Sequence, residues 1–151
     1  MKINIIIIYV IVVSTIFGSQ KHKINQAEKN KINQAKALRK NGLIKESLNI
    51  YYQLFENSPY LKEVFTPLKS ILKDQENWTE LEKIANQYLN ANKNNPQSQI
   101  EVFDIYLWNG NDKWKTILKD LSEDNSNSYY LKKALSMMLN NNKINDTISF
   151  I

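Results

Sequence analysis

The sequence predicts an all-α protein, an α–α superhelical solenoid of about three and a half helical hairpins following an N-terminal signal segment. Three observations carry that expectation. Four windows opening at Ile44, Trp78, Trp114 and Ile144 repeat large apolar or small residues three, four and seven places on, the period of one helical face. Those openings lie about 34, 36 and 30 residues apart. Each follows a polar breaker: Asn41-Gly42, Asp74 to Asn77, Asn109 to Lys113, and Asn140 to Lys143. Strand-type alternation is missing from all of them.

At the amino terminus, Lys2 precedes an apolar run over 3–17 and small residues at Gly18 and Ser19, the pattern of a secretory signal peptide over 1–18. The run falls short of the roughly 20 residues a bilayer-spanning helix needs, so a cleaved signal and no stable membrane span is the reading it favours. Lys21 and Lys23 stand just beyond it, where positive charge opposes translocation, which leaves a short uncleaved anchor over 3–17 as the alternative. Export to a periplasmic, envelope or extracellular location follows from the first reading.

The repeat domain then covers 19–151, in units of about 28–61, 62–97, 98–127 and 128–151. The first helix of each unit falls at 24–40, 63–73, 98–108 and 129–139, and the second begins at each window opening. Phe65, Leu68 and Leu72 share one face in the second unit; Leu131, Ala134, Leu135 and Met138 do so in the fourth. Pro67 predicts a kink or break near Thr66, because a proline past the first turn costs about 3 kcal/mol. The last window ends on Ile148, Phe150 and Ile151, so the fourth unit reads as incomplete. A hairpin of this length cannot bury its apolar stripe alone, and stacking is the remedy.

Residues 28–61 carry the fullest pattern: Ala35 and Leu38 in the first helix, Gly42 at the turn, Ile44, Ser47, Tyr51 and Leu54 in the second, and Pro59 at the close. This unit resembles a tetratricopeptide repeat. Ala35 and Ser47 are small where two helices approach, Gly42 permits a left-handed turn, and Pro59 ends the unit. Elsewhere the match loosens. Lys69, Leu81, Ile105 and Ile117 stand where the family prefers small residues, and Pro96 falls about three residues late. An α–α solenoid of another family fits the same periodicity.

Composition removes much chemistry. The 151 residues include no Cys and one His, which excludes thiolate nucleophiles, Cys-ligated metals and multi-histidine centres. No phosphate-cradling glycine loop and no serine-nucleophile motif is present, so the expectation is a protein that is not an enzyme, with no cofactor, no metal site and no catalytic residue. His22 reads as a tail residue, and the Glu80/Glu82 and Glu123/Asp124 pairs as solvated helix surface, since residues two apart on a helix diverge. Trp78, Trp108, Trp114 and Tyr106 read as hairpin core rather than a ligand platform, with one tyrosine of Tyr51-Tyr52 and of Tyr129-Tyr130 buried. Asn77-Trp78-Thr79 and Asn145-Asp146-Thr147 fit a glycosylation acceptor in form, but their Asn residues sit where helices start and read as caps.

The net charge of +5 does not by itself indicate nucleic acid. Arg39 is the lone arginine; about 21 Asn with many Ile, Lys and Tyr point to an A/T-rich coding bias as the source of the lysines.

The resemblance implies that the first helices line a concave groove for a protein or peptide segment. Carried across, the groove positions are Lys29, Ile32, Lys36, Arg39 and Lys40 in the first unit, and Glu63, Thr66, Ser70 and Lys73 in the second. The first set is basic and favours an acidic peptide tail or terminal carboxylate. An exported interaction scaffold or adaptor is therefore the expected function. The alternatives are an accessory repeat region of a larger exported enzyme or assembly factor and a repeat-type RNA binder, the latter opposed by the signal segment and the scarcity of arginine.

Overall fold

A computed structural model describes residues 24–141, and the signal segment, His22, the fourth unit's second helix and the Asn145 triplet lie outside them. Among the described residues the protein is all-helical, with seven α-helices, one 3₁₀ turn and no strand. They are α1 (Gln26–Lys40), α2 (Ile44–Asn57), α3 (Lys62–Asp74), α4 (Trp78–Ala91), α5 (Pro96–Trp108), α6 (Lys113–Glu123) and α7 (Ser128–Asn140), with the 3₁₀ turn at Asn125–Asn127 before α7. Each helix packs against the next, and α5 also packs against α7.

Asparagine and glycine set the helix ends. The Asn25 side chain accepts from the Glu28 amide at 2.8 Å while Glu28 accepts from the Asn25 amide at 2.9 Å, a reciprocal cap on α1. Asn77 caps α4 through the Glu80 amide, the role its place before Trp78 implied, and Asn95 caps α5 through the Ser98 amide at 2.8 Å. Pro96 thus opens α5, where its missing N–H costs nothing, rather than closing α4.

At the other ends, α1, α3 and α4 finish in one motif. The Leu43 amide donates to the Leu38 carbonyl and the Gly42 amide to Arg39, a pair repeated by Asn77 to Leu72 with Glu76 to Lys73, and by Asn94 to Leu89 with Lys93 to Asn90. The residue after the cap must adopt positive φ. Gly42 does so at 80° without strain, but Glu76 at 55° and Lys93 at 52° carry a Cβ there. Glu76→Gly is accordingly expected to raise stability by about 1 kcal/mol and Gly42→Ala to lower it by a similar amount. Thermal denaturation checks both; a less stable Glu76→Gly would refute the turn geometry.

Pro67 does not break its helix. α3 runs from Lys62 to Asp74 with proline inside it, so of the expected kink or break the break does not occur. The burial of Val64, Phe65, Leu68, Ile71 and Leu72 on one side outweighs a penalty of about 3 kcal/mol.

The core is continuous from Ile32 to Met138. Ala35 and Ser47 are fully buried, and Ser47 Oγ donates to the Ala35 carbonyl at 2.8 Å, pinning α1 to α2 where their small side chains allow close approach. Phe65 and Tyr88 stack at 4.1 Å between centroids, joining α3 to α4. Burial, and then the charges of Glu101 and Glu63, push the Tyr88 phenol up to about 12.

Polar contacts also join alternate helices. Arg39 on α1 donates to Ser70 Oγ on α3 at 3.0 Å. From α3, Lys62 pairs with Glu101 at 2.6 Å, and Lys69 reaches both Asp104 Oδ1 at 2.5 Å and the Glu101 carbonyl at 2.7 Å on α5. The Trp108 indole N–H at the end of α5 donates to Asn141 just past α7. Among the described residues no helix is long and apolar enough to cross a membrane.

Candidate functional site

One face of α1, one face of α3 and a side chain of α2 border an open cleft of about 820 Å³, within the range of ligand sites. From α1 come Lys36, Arg39 and Lys40, spaced three and four apart so that they share a stripe. Lys62, Glu63, Thr66, Pro67 and Ser70 supply the α3 wall, again at helical spacing. Tyr51 of α2 completes the lining.

The Arg39–Ser70 hydrogen bond spans the two walls, and the same guanidinium nitrogen, Nη2, lies 3.6 Å from Asp74. Four cations face one carboxylate, Glu63. Lys62 is engaged by Glu101, whereas Lys36 and Lys40 have no ion-pair partner among the described residues. The cleft therefore presents uncompensated positive charge to solvent.

Beneath it, Tyr51 is fully buried and its hydroxyl has no hydrogen-bond partner among the described residues. Burial raises the Tyr51 phenol above its ordinary value, and the Arg39 charge partly opposes that rise. The group stays protonated at neutral pH and is a donor without an acceptor.

Of the nine groove positions inferred from the sequence, Lys36, Arg39, Lys40, Glu63, Thr66 and Ser70 meet in this cleft. Ile32 does not. It is 4% exposed and, with Ala35, forms the buried face of α1, so its assignment to the groove surface is corrected: an otherwise polar helix needs that side chain to hold it to the core. Lys29 lies exposed toward the start of α1, and Lys73 lies past Ser70 with its ammonium 3.3 Å over the Trp108 ring.

Tyr51, Lys62 and Pro67 were not among those nine. Lys62 precedes the predicted start of the third helix by one residue, and Pro67 was read for its backbone effect alone. Tyr51 was read as packing, and nothing in its periodicity signals that its hydroxyl would be left unpaired.

The other candidates disperse. Glu80 pairs with Lys83, whereas Glu82 accepts from Asn109 and Asn111, so these two carboxylates serve different neighbours. Glu123 faces Lys119 at 3.8 Å; Asp124 accepts from the Ser126 amide, which holds its carboxyl below the usual range. Trp114 and Tyr106 are buried, Tyr106 donating to Asn86 at 2.9 Å, and Trp78 is half-buried.

Trp108 departs from the core reading. At the last residue of α5 it is 37% exposed, touching Trp78 edge to face and covered by Lys73. Tyr129 is 67% exposed and Tyr130 half-buried, so neither member of that pair is fully buried. Among the described residues no group of three or more His, Asp or Glu could hold a metal ion.

No protein-family model matches the chain, and no curated protein matches it significantly.

Proposed function

We propose that this protein is an exported interaction scaffold, a superhelical array similar to tetratricopeptide repeats, whose α1–α3 cleft captures an acidic segment of a partner protein. It acts by binding, without chemistry of its own and without a cofactor. The observation that carries the reading is the cleft itself: Lys36, Arg39 and Lys40 on one wall and Lys62 on the other surround a groove wide enough for side chains. Support for the repeat array comes from the shared helix-end motif of α1, α3 and α4 and from the contacts running from α1 to α3 to α5. Support for export comes from the residues 1–18 pattern alone.

Lysine-rich walls favour carboxylates through charge-assisted hydrogen bonds and speed encounter at low salt. The doubly reversed variant Lys36→Glu with Arg39→Glu is expected to bind a glutamate-rich peptide about tenfold to a hundredfold more weakly in fluorescence anisotropy, with the difference shrinking as salt rises. Unchanged affinity in a variant that keeps its helical circular dichroism would reject the cleft as the docking site. Salt-sensitive binding of single-stranded RNA in preference to the peptide would replace the proposal with the nucleic-acid reading.

A further inference from the structure

We infer that Tyr51 is the specificity-determining residue of this cleft, its hydroxyl and the Arg39 guanidinium forming a seat for one carboxylate that enters between α1 and α3. The inference deepens the peptide-binding reading above and rests on it.

Buried hydroxyls in native proteins nearly always have a partner, because desolvating one without a hydrogen bond is costly. Tyr51 Oη has none among the described residues, although the side chain is fully buried. Phenylalanine would fill the same volume without that cost. What distinguishes this tyrosine from the other fully buried one, Tyr106, is its place: Tyr106 donates to Asn86, whereas Tyr51 lines the cleft beside Arg39.

The missing partner is defined by chemistry. A phenol that remains protonated donates, so the partner accepts, and the neighbouring guanidinium makes a negative acceptor the favoured one. Arg39 is suited to share it. Its contacts to Ser70 and Asp74 both use Nη2, and the other N–H groups of its fork make no hydrogen bond or ion pair among the described residues. Because the hydroxyl is buried, a rim side chain must move to admit the ligand. Arg39, 34% exposed and held to α3 by one hydrogen bond and a 3.6 Å ion pair, is the side chain that an entering carboxylate draws aside. Thr66 and the apolar ring of Pro67 on the opposite wall receive the aliphatic stem that carries the carboxylate.

A ligand whose charge only lies along the lysine rim would not sense Tyr51 at all. That difference is the test. Wild type and Tyr51→Phe are titrated with a blocked peptide of alternating glutamate and leucine, with the same peptide bearing glutamine for glutamate, and with sodium propionate as competitor. Tyr51→Phe is expected to melt at the same or a higher temperature, since it sheds an unpaired buried hydroxyl. It should bind the glutamate peptide about tenfold more weakly, the loss of one hydrogen bond to a charged acceptor, and bind the glutamine peptide as wild type does.

Propionate displacing the glutamate peptide from wild type, and less effectively from Tyr51→Phe, would show that a free carboxylate suffices; displacement by peptide alone would show that the flanking chain is needed. Equal affinity of wild type and Tyr51→Phe for the glutamate peptide, with Lys36→Glu still weakening it, would overturn the inference and leave the docking site standing. A lowered melting temperature in Tyr51→Phe would overturn it too, because the hydroxyl would then have a structural partner. No binding of the glutamate peptide to wild type would bring down the docking proposal and the inference with it.

Discussion

Phe65→Ala is expected to cost about 4 kcal/mol of folding free energy, a large fraction of the roughly 5–15 kcal/mol that holds a domain together. Phe65 is completely buried where three helices meet: from α3 its ring lies 6.3 Å from Phe55 on α2 and stacks at 4.1 Å on Tyr88 from α4. Truncation would remove both ring contacts and leave a cavity that neighbouring rings cannot refill without leaving their rotamers. The loss should extend to the cleft, because the helix that Phe65 anchors carries the whole wall from Lys62 to Ser70. Urea unfolding followed by circular dichroism measures the first effect and peptide affinity the second. Tyr129→Ala, at a position 67% exposed, supplies the contrast with a change within about 0.5 kcal/mol. A Phe65→Ala cost below about 1 kcal/mol would mean that α2, α3 and α4 do not converge on this ring.

The sites where sequence and structure part share a physical reason. Helical period alone placed the predicted first helices within a few residues of α1, α3, α5 and α7, and it put Phe65, Leu68 and Leu72 on a face that is wholly buried. Periodicity works there because it records the requirement that one stripe leave water. At Pro67 the expectation of a break did not hold, because a local penalty was weighed without the tertiary burial that opposes it. Pro96 was displaced for a similar reason: its meaning as an opening residue depends on Asn95 capping through Ser98, a pairing visible only once the chain turns. The left-handed turns at Glu76 and Lys93 carry no glycine to announce them, unlike Gly42. In the cleft, the basic stripe of α1 was reached through the tetratricopeptide resemblance, whereas Tyr51 was not, since an unpaired hydroxyl is a property of what surrounds it.

Lys69→Met should destabilise the protein by about 2–3 kcal/mol, well above the effect of removing a surface lysine. Lys69 follows the small, buried Ala35 by 34 residues, and its side chain is 18% exposed while that of its partner Asp104 is 15% exposed. Its ammonium bridges Asp104 at 2.5 Å and the Glu101 carbonyl at 2.7 Å, so one lysine satisfies two acceptors on α5. Methionine keeps the stem volume but leaves Asp104 charged, shielded from water and unpaired, which is the costly half of breaking such a pair. Surface pairs give the baseline: Lys119→Met removes a 3.8 Å contact between side chains 72% and 64% exposed, and should change stability by less than about 0.5 kcal/mol. The double variant Lys69→Met with Asp104→Leu is expected to recover most of the loss, because two apolar side chains replace a pair whose desolvation nearly cancels its attraction. A double-mutant cycle by chemical denaturation separates these terms. Recovery would show that the α3–α5 contact tolerates either chemistry provided both partners match; a double variant as unstable as the single one would shift the explanation from the charge to the hydrogen bond that Lys69 gives the Glu101 carbonyl.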